Sequence, residues 1–434
     1  MAVATRARTL HWRAGEPVDL VLAGARVVDP VEGIDEALDV TITDGIISAI
    51  EPARETRSRL LVAPAFVDPH VHLRTPGGEH AESLASGTRA AAAGGYCAIL
   101  AMPNTNPVVD TAATLGALVD RARTEAEVPV GFLAAISIGL RGAELTEMVE
   151  LAESGAAGFT DDGKPVVSAG LMRRALQYAA LVGRLLSLHE EEPTLSRGGH
   201  MHEGAVSAEL GIGGWPSIAE SAMVVRDLEL ARHEQQPVHF MHLSARESVE
   251  ALRAAQVDGV AATGEVTPHH LCLTDDCVRS LNPNFKMNPP VRAEQDRRAL
   301  LDGLCDGTIG AIATDHAPHA HHDKDVPFEA AAFGVTGLET AFAALYTRLV
   351  LSRELPLETL LERMSAGPAR IFGLEVPRVA VGERANLTLV DVEAAWRASE
   401  SGFESRSANS WLLGERLVSR VLMTIADGCL VHAS

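Results

Sequence analysis

Phe66-Val67-Asp68-Pro69-His70-Val71-His72-Leu73-Arg74 ends an apolar run in two imidazoles and a guanidinium. Side chains on a strand alternate with period two, so His70, His72 and Arg74 share one face. A His-x-His pair by itself is a weak signal, because buried hydrogen-bonded histidines are common. Here four further apolar runs close on Asp161-Asp162, His189, His242 and Asp315. Metal-binding side chains at the ends of several strands are the pattern by which a parallel barrel assembles a site.

The rest of the chain carries the rhythm such a barrel needs. Apolar strand-like runs recur at 61–69, 96–102, 128–137, 156–160, 185–189, 237–243, 259–266 and 309–314. Helix-compatible stretches separate them, among them Ala81–Ala93, Ala112–Glu125 and Pro216–Gln235. Eight buried strands alternating with helices predict an α/β fold, a parallel (β/α)8 TIM barrel over residues 62–375. Residues 18–30 and 38–50 instead read as a small antiparallel sheet, with Asp44-Gly45 as a turn. Asn386–Val392 and Leu417–Ile425 read as strands returning to it. A small β-sandwich domain built from 1–61 and 376–434 is therefore expected.

With 434 residues and 47% apolar side chains the chain can bury a large core. A net charge of −21 argues against nucleic acid or an anionic membrane as partner, though not against a local positive pocket. Five scattered cysteines without a Cys-x-x-Cys pair suit a reducing compartment, and the cytoplasm is expected. No secretory segment and no run long enough to span a bilayer is found. Arg6, Arg8 and Arg13 read as a tail leading into the first strand, with a faint likeness to a transit peptide.

Imidazoles and carboxylates at the strand ends could hold two divalent ions, zinc best of all, and a shared water would ionise near neutrality. Asp315 could be both ligand and proton carrier. Rivals exist. His239 competes with His242, but period two points it elsewhere. Asp161 competes with Asp162, and adjacent carboxylates face opposite ways, so only one should bridge. A carboxylated Lys164 is a further rival, beyond Gly163. His269 and His270 are candidate supporting residues; His200, His202, His321 and His322 read as loop residues.

Further motifs follow: Met102-Pro103-Asn104-Thr105, Phe159-Thr160-Asp161-Asp162-Gly163, Glu265-Val266-Thr267-Pro268-His269-His270-Leu271, Asn284-Phe285-Lys286-Met287-Asn288-Pro289-Pro290 and Ala313-Thr314-Asp315-His316-Ala317-Pro318-His319. With the first segment they make nearly the whole chain resemble the amidohydrolase superfamily and, within it, the class I bacterial dihydroorotases. The resemblance implies reversible cyclisation of N-carbamoyl-L-aspartate to L-dihydroorotate in pyrimidine synthesis. It implies that His70 and His72 bind one zinc, His189 and His242 a second, that Asp162 bridges them, and that Asp315 completes the first site as general acid/base. Arg74, Asn104, Asn288 and His319, with backbone around Phe333 and Gly334, match substrate-binding positions. A homodimer is also implied, and an association with aspartate transcarbamoylase is left open. Thr75 and Ala332 depart from the commoner Glu and Pro. A hydantoinase, an allantoinase, or a non-catalytic partner of the transcarbamoylase are the alternatives.

Overall fold

The computed structural model describes residues 9–434. Arg6 and Arg8 lie outside the described residues, and Arg13 pairs with Glu127 at 2.8 Å. Eight strands form the barrel: β1 (Phe66–Val71), β2 (Tyr96–Ala101), β3 (Val130–Ala134), β4 (Gly158–Phe159), β5 (Leu186–Leu188), β6 (Val238–Phe240), β7 (Ala262–Val266) and β8 (Ala311–Ile312). Each pairs in parallel with its sequence neighbour. A parallel bridge between Val71 and His316 joins the last strand's extension to the first, with His72 N donating to His316 O at 2.9 Å.

The helices Leu84–Ala93, Ala112–Glu125 and Ile218–Glu234 match the expected stretches. Ser83, Thr111 and Ser168 each accept an otherwise unpaired backbone N–H in the first turn of a helix. Each such cap is worth about 1 kcal/mol. Phe66, Ile99, Val130, Phe159, Leu186, Phe240 and Val266 are fully buried, so the strands read as continuous apolar runs, not alternating ones.

The run 61–69 divides where its sequence gives no warning. Arg57–Pro64 belongs to the small sheet, Ala65 bonds to Asn386 O, and β1 begins at Phe66. Both halves enter buried surroundings, so no change of polarity marks the hand-over. The small sheet has the order Cys429–Ala433, Arg416–Ala426, Leu387–Arg397, Arg57–Pro64, Leu20–Asp29, Ile34–Thr43, Ile46–Pro52. It is one continuous hydrogen-bonded path. Register shifts in its long strands bend it around a shared core of Val27, Val40, Ile47, Val62, Leu387 and Ile425. Both chain ends contribute to it. The connection between Arg397 and Arg416 leaves the sheet and reaches the loops that follow β1 and β8, where Ser405, Ser407 and Asn409 are buried.

Among the described residues no helix is long and apolar enough to cross a membrane, and all five cysteines are free.

Candidate metal centre and active site

His70, His72, Asp162, His189, His242 and Asp315 converge at the C-terminal ends of β1, β4, β5, β6 and β8, all buried. Asp162 lies at the middle. Its Oδ1 is 3.5 Å from His70 Nε2, 3.6 Å from His189 Nδ1 and 3.7 Å from His242 Nε2, and its Oδ2 is 3.5 Å from His72 Nε2. Asp315 Oδ1 lies 3.1 Å from His72 Nε2 and 3.5 Å from His70 Nε2. Two donor groups overlap at Asp162: His70 with His72, and His189 with His242, the ligand atoms of each group lying within 4.8 Å of one another.

The far sides of the rings are pinned. His70 Nδ1 donates to Glu265 at 2.8 Å, His72 Nδ1 to Asn104 Oδ1 at 3.0 Å, and His189 Nε2 to Glu191 at 3.1 Å. Each bond fixes a tautomer and leaves the other nitrogen facing the cluster, as metal-ligating histidines require. Glu265 also accepts from His239 Nε2, which turns His239 away from the cluster, and from His242 N. Burial raises the Glu265 carboxyl, but these imidazoles bring it to about 2. Arg74, His242 and Asp315 all have positive φ, at 53°, 33° and 46°. Non-glycine residues held there cost about 1–3 kcal/mol each and persist where the surroundings over-determine them.

The residues fit a divalent cation. His70 Nε2 is fully buried and makes no hydrogen bond. His189 Nδ1 and His242 Nε2 face each other at 2.9 Å. Burial disfavours a proton on His70, yet the Asp315 and Asp162 charges outweigh it and raise its pKa well above the usual range. His189 is likewise carried to about 9, against burial, by Asp162 and Glu191. Asp162 is held well below the carboxylate range, because His70, His189 and His242 outweigh burial. The cluster thus demands positive charge, which metals would supply in place of protons.

Asp161 takes no part. Its carboxylate accepts from Ser137 N at 2.9 Å and from Ser137 Oγ. Lys164 is exposed. His270 spans Thr267 and Pro289 O and packs a loop.

Beside the cluster, Arg74 Nε donates to Pro318 O at 3.1 Å, and its Nη2 lies 3.4 Å from His319. His319 Nε2 donates to Phe333 O at 2.6 Å. Burial, then Arg74, pushes His319 down to about 3, so the ring is a neutral donor. Gly334 has φ +124°, and a Cβ there would meet Ala317 Cβ at 2.7 Å, so the chain needs glycine at this point. Asn288 Nδ2 donates to Glu191 at 3.2 Å, while its buried Oδ1 makes no hydrogen bond. Both ends of Asn104 are already engaged, by His72 and by Asp162 at 3.0 Å.

Four supporting residues escaped the sequence reading. Glu265 and Glu191 stand behind the histidines. Asn409 accepts from His319 N at 3.0 Å and donates to Ala317 O and Gly334 O at 3.1 and 3.2 Å. Glu82, buried, accepts from His316 Nε2 at 3.3 Å and Ser405 Oγ at 2.5 Å. Of these only Glu265, inside the Glu265–Leu271 motif, carried a signal.

A (β/α)8 barrel with His-x-His after β1, histidines after β5 and β6 and an aspartate after β8 defines a hydrolase of the amidohydrolase class. Comparison narrows the class. A family profile described as "Dihydro-orotase-like" matches residues 58–248. The chain is 45% identical over 423 residues to a dihydroorotase of Anaeromyxobacter dehalogenans (strain 2CP-C), covering 95% of this chain and 98% of that one. It is 43% identical to a dihydroorotase of Geotalea daltonii, covering 96% and 99%. Among solved structures it resembles the L-hydantoinase of Arthrobacter aurescens, with TM-score 0.84, 25% identity and 96% of each chain covered. The dihydropyrimidinase of Brevibacillus agri, at 19% identity and TM-score 0.81 over 95% of each chain, shares the fold. The chain belongs to the dihydroorotase family.

Proposed function

We propose that this protein closes N-carbamoyl-L-aspartate reversibly to L-dihydroorotate and water, with His70, His72, Asp162 and Asp315 holding one zinc ion and Asp162, His189 and His242 a second. The observation that carries the reading is the convergence of five buried donors around a buried Asp162, with the Arg74 guanidinium just beyond the end of β1. Bound there, divalent ions supply Lewis acidity and bring the pKa of water toward neutrality.

In cyclisation the carbamoyl nitrogen attacks the side-chain carboxyl carbon, a C–N bond forms, and one carboxylate oxygen leaves as water carrying two protons, one that Asp315 passes on from the nitrogen and one from solvent. Asp315 takes the proton from that nitrogen. In hydrolysis it returns the proton to the leaving nitrogen. Asp315 is ionised, because His70 and His72 outweigh its burial and hold it below the carboxylate range, and its Oδ1 lies 3.1 Å from His72 at the end of β8, where it can take a proton. Arg74 faces the α-carboxylate, which a guanidinium can grip bidentately. Asn288 offers its unpaired Oδ1 to a ring N–H. Asn104 is proposed to hold His72 and Asp162 while bordering the substrate. His319 and the backbone at Phe333–Gly334 close the other side.

The carboxylate clamp favours dihydroorotate over hydantoin or allantoin, which lack that group. Rates with the three compounds test this reading; faster hydrolysis of either neutral ring would reject it. A cytoplasmic homodimer and a docked aspartate transcarbamoylase belong to the same proposal, on the strength of the resemblance. Light scattering of the protein alone and mixed with the transcarbamoylase tests both.

A further inference from the structure

His80, on the loop after β1, and His322 and Asp323, on the four-residue helix His321–Lys324 within the connection after β8, border the site but take no part in it. Their ligand atoms all fall within 4.8 Å of one another. The His80 and His322 rings are near parallel, 21° apart, with centroids 6.1 Å apart. His322 Nε2 lies 3.6 Å from Asp323 Oδ1. His80 follows β1, six residues beyond Arg74. His322 and Asp323 follow β8, just beyond His319. The sequence there, His316-Ala-Pro-His319-Ala-His321-His322-Asp323, is histidine-dense in the way of short metal-binding tracts.

Both loops are anchored from below. Lys324, next to Asp323, is buried and donates to Pro283 O, Lys286 O and Ala332 O at 2.9, 3.2 and 2.8 Å. Asp323 O accepts from Ala332 N at 3.1 Å. On the opposite loop, Ser407 Oγ donates to Ala81 O at 2.6 Å and Arg406 to Glu79 O. Two exposed imidazoles and a half-exposed carboxylate are thus carried on fixed backbone, and only their side-chain torsions need adjust.

We propose that His80, His322 and Asp323 form a further divalent-cation site at the rim, distinct from the buried cluster, that takes a zinc-class ion and clips the β1 loop to the β8 loop. Two imidazoles and one carboxylate suit zinc, with the fourth position left to water. Side-chain exposure of 75% at His322 means that such an ion exchanges freely with bulk. The site should therefore be weaker than the buried one.

The test uses tag-free holoenzyme dialysed against graded zinc, with bound metal counted by elemental analysis. Wild type should hold one more zinc ion per chain than the His80→Ala/His322→Ala double variant. The His321→Ala variant should match wild type, because His321 faces Asp325 and not His80. Equal zinc counts in wild type and the double variant would overturn the proposal. So would loss of the extra ion in His321→Ala. Cobalt in place of zinc gives a second readout: a visible absorption band that titrates in wild type and is absent from the double variant. Dihydroorotate turnover at low zinc should be the same in all three proteins, which separates this site from the proposed activity.

Discussion

The carboxylates of Asp161 and Asp162, adjacent in the chain, turn to opposite sides of the β4 end. Asp162 faces four imidazoles, whereas Asp161 accepts from the backbone and hydroxyl of Ser137. Asp161 therefore holds the loop after β3 against β4. Asp161→Ala should cost about 1–3 kcal/mol, the penalty for leaving buried donors unpaired, with metal content unchanged. Urea denaturation beside elemental analysis of the folded protein checks both halves.

Asp315 is the group with the geometry to move a proton, beside His72 at 3.1 Å. Asp315→Asn keeps its shape and removes its basicity. Turnover should fall by about 10²–10⁴ in both directions, the usual share of general acid–base catalysis. Steady-state rates of cyclisation and hydrolysis, on variant protein shown to retain metal, decide the point; near-wild-type rates would remove Asp315 from the mechanism.

Asn409 ties the loop after β8 to Gly334 through three bonds from one carboxamide. Asn409→Ala frees His319 and the Gly334 backbone without touching the metal cluster. KM for dihydroorotate should rise about tenfold, matching the roughly 1.4 kcal/mol of one well-formed bond. The change in kcat should be smaller. A fall in kcat with KM unchanged would contradict a positioning role.

The barrel and the metal-facing residues were legible because both follow from local periodicity. Parity places His70 and His72 together at the end of β1, whereas Arg74, expected on the same face, lies beyond the strand at φ 53° and reaches Pro318 O. The same parity separates Asp161 from Asp162, and the spacing of His239 and His242 lets one join the cluster while the other leaves it. Apart from Glu191, which is two residues from His189, the supports have partners remote in sequence. Glu265 meets His70 across 195 residues, Asn409 meets His319 across 90, and Ser405 meets Glu82 across 323. No pattern within one segment encodes such a pairing. The hand-over at Ala65 was hidden for a different reason: both sheets demand the same apolar residues.

Glu82 joins His316, Ser86 and Ser405 in a buried network under the β1 and β8 loops. Burial raises its pKa, but His316 and the hydroxyl donors outweigh that, and the folded value lies below 4.5. The sign follows: the stabilisation is full above the unfolded value and is lost as pH falls through the folded one. Glu82→Gln should cost about 2 kcal/mol at neutral pH, as for bonds to a charged group. The gap to wild type should narrow below pH 4.5. Denaturation curves across that range measure it; a gap that widens on acidification would contradict the assignment.

In the proposed metal centre Asp162, and no lysine, joins the two halves. Elemental analysis of Asp162→Ala beside Asp161→Ala, with dihydroorotate turnover measured on the same samples, decides this. Asp162→Ala should lose metal and turnover together while Asp161→Ala keeps its metal. Two ions retained by Asp162→Ala would contradict it.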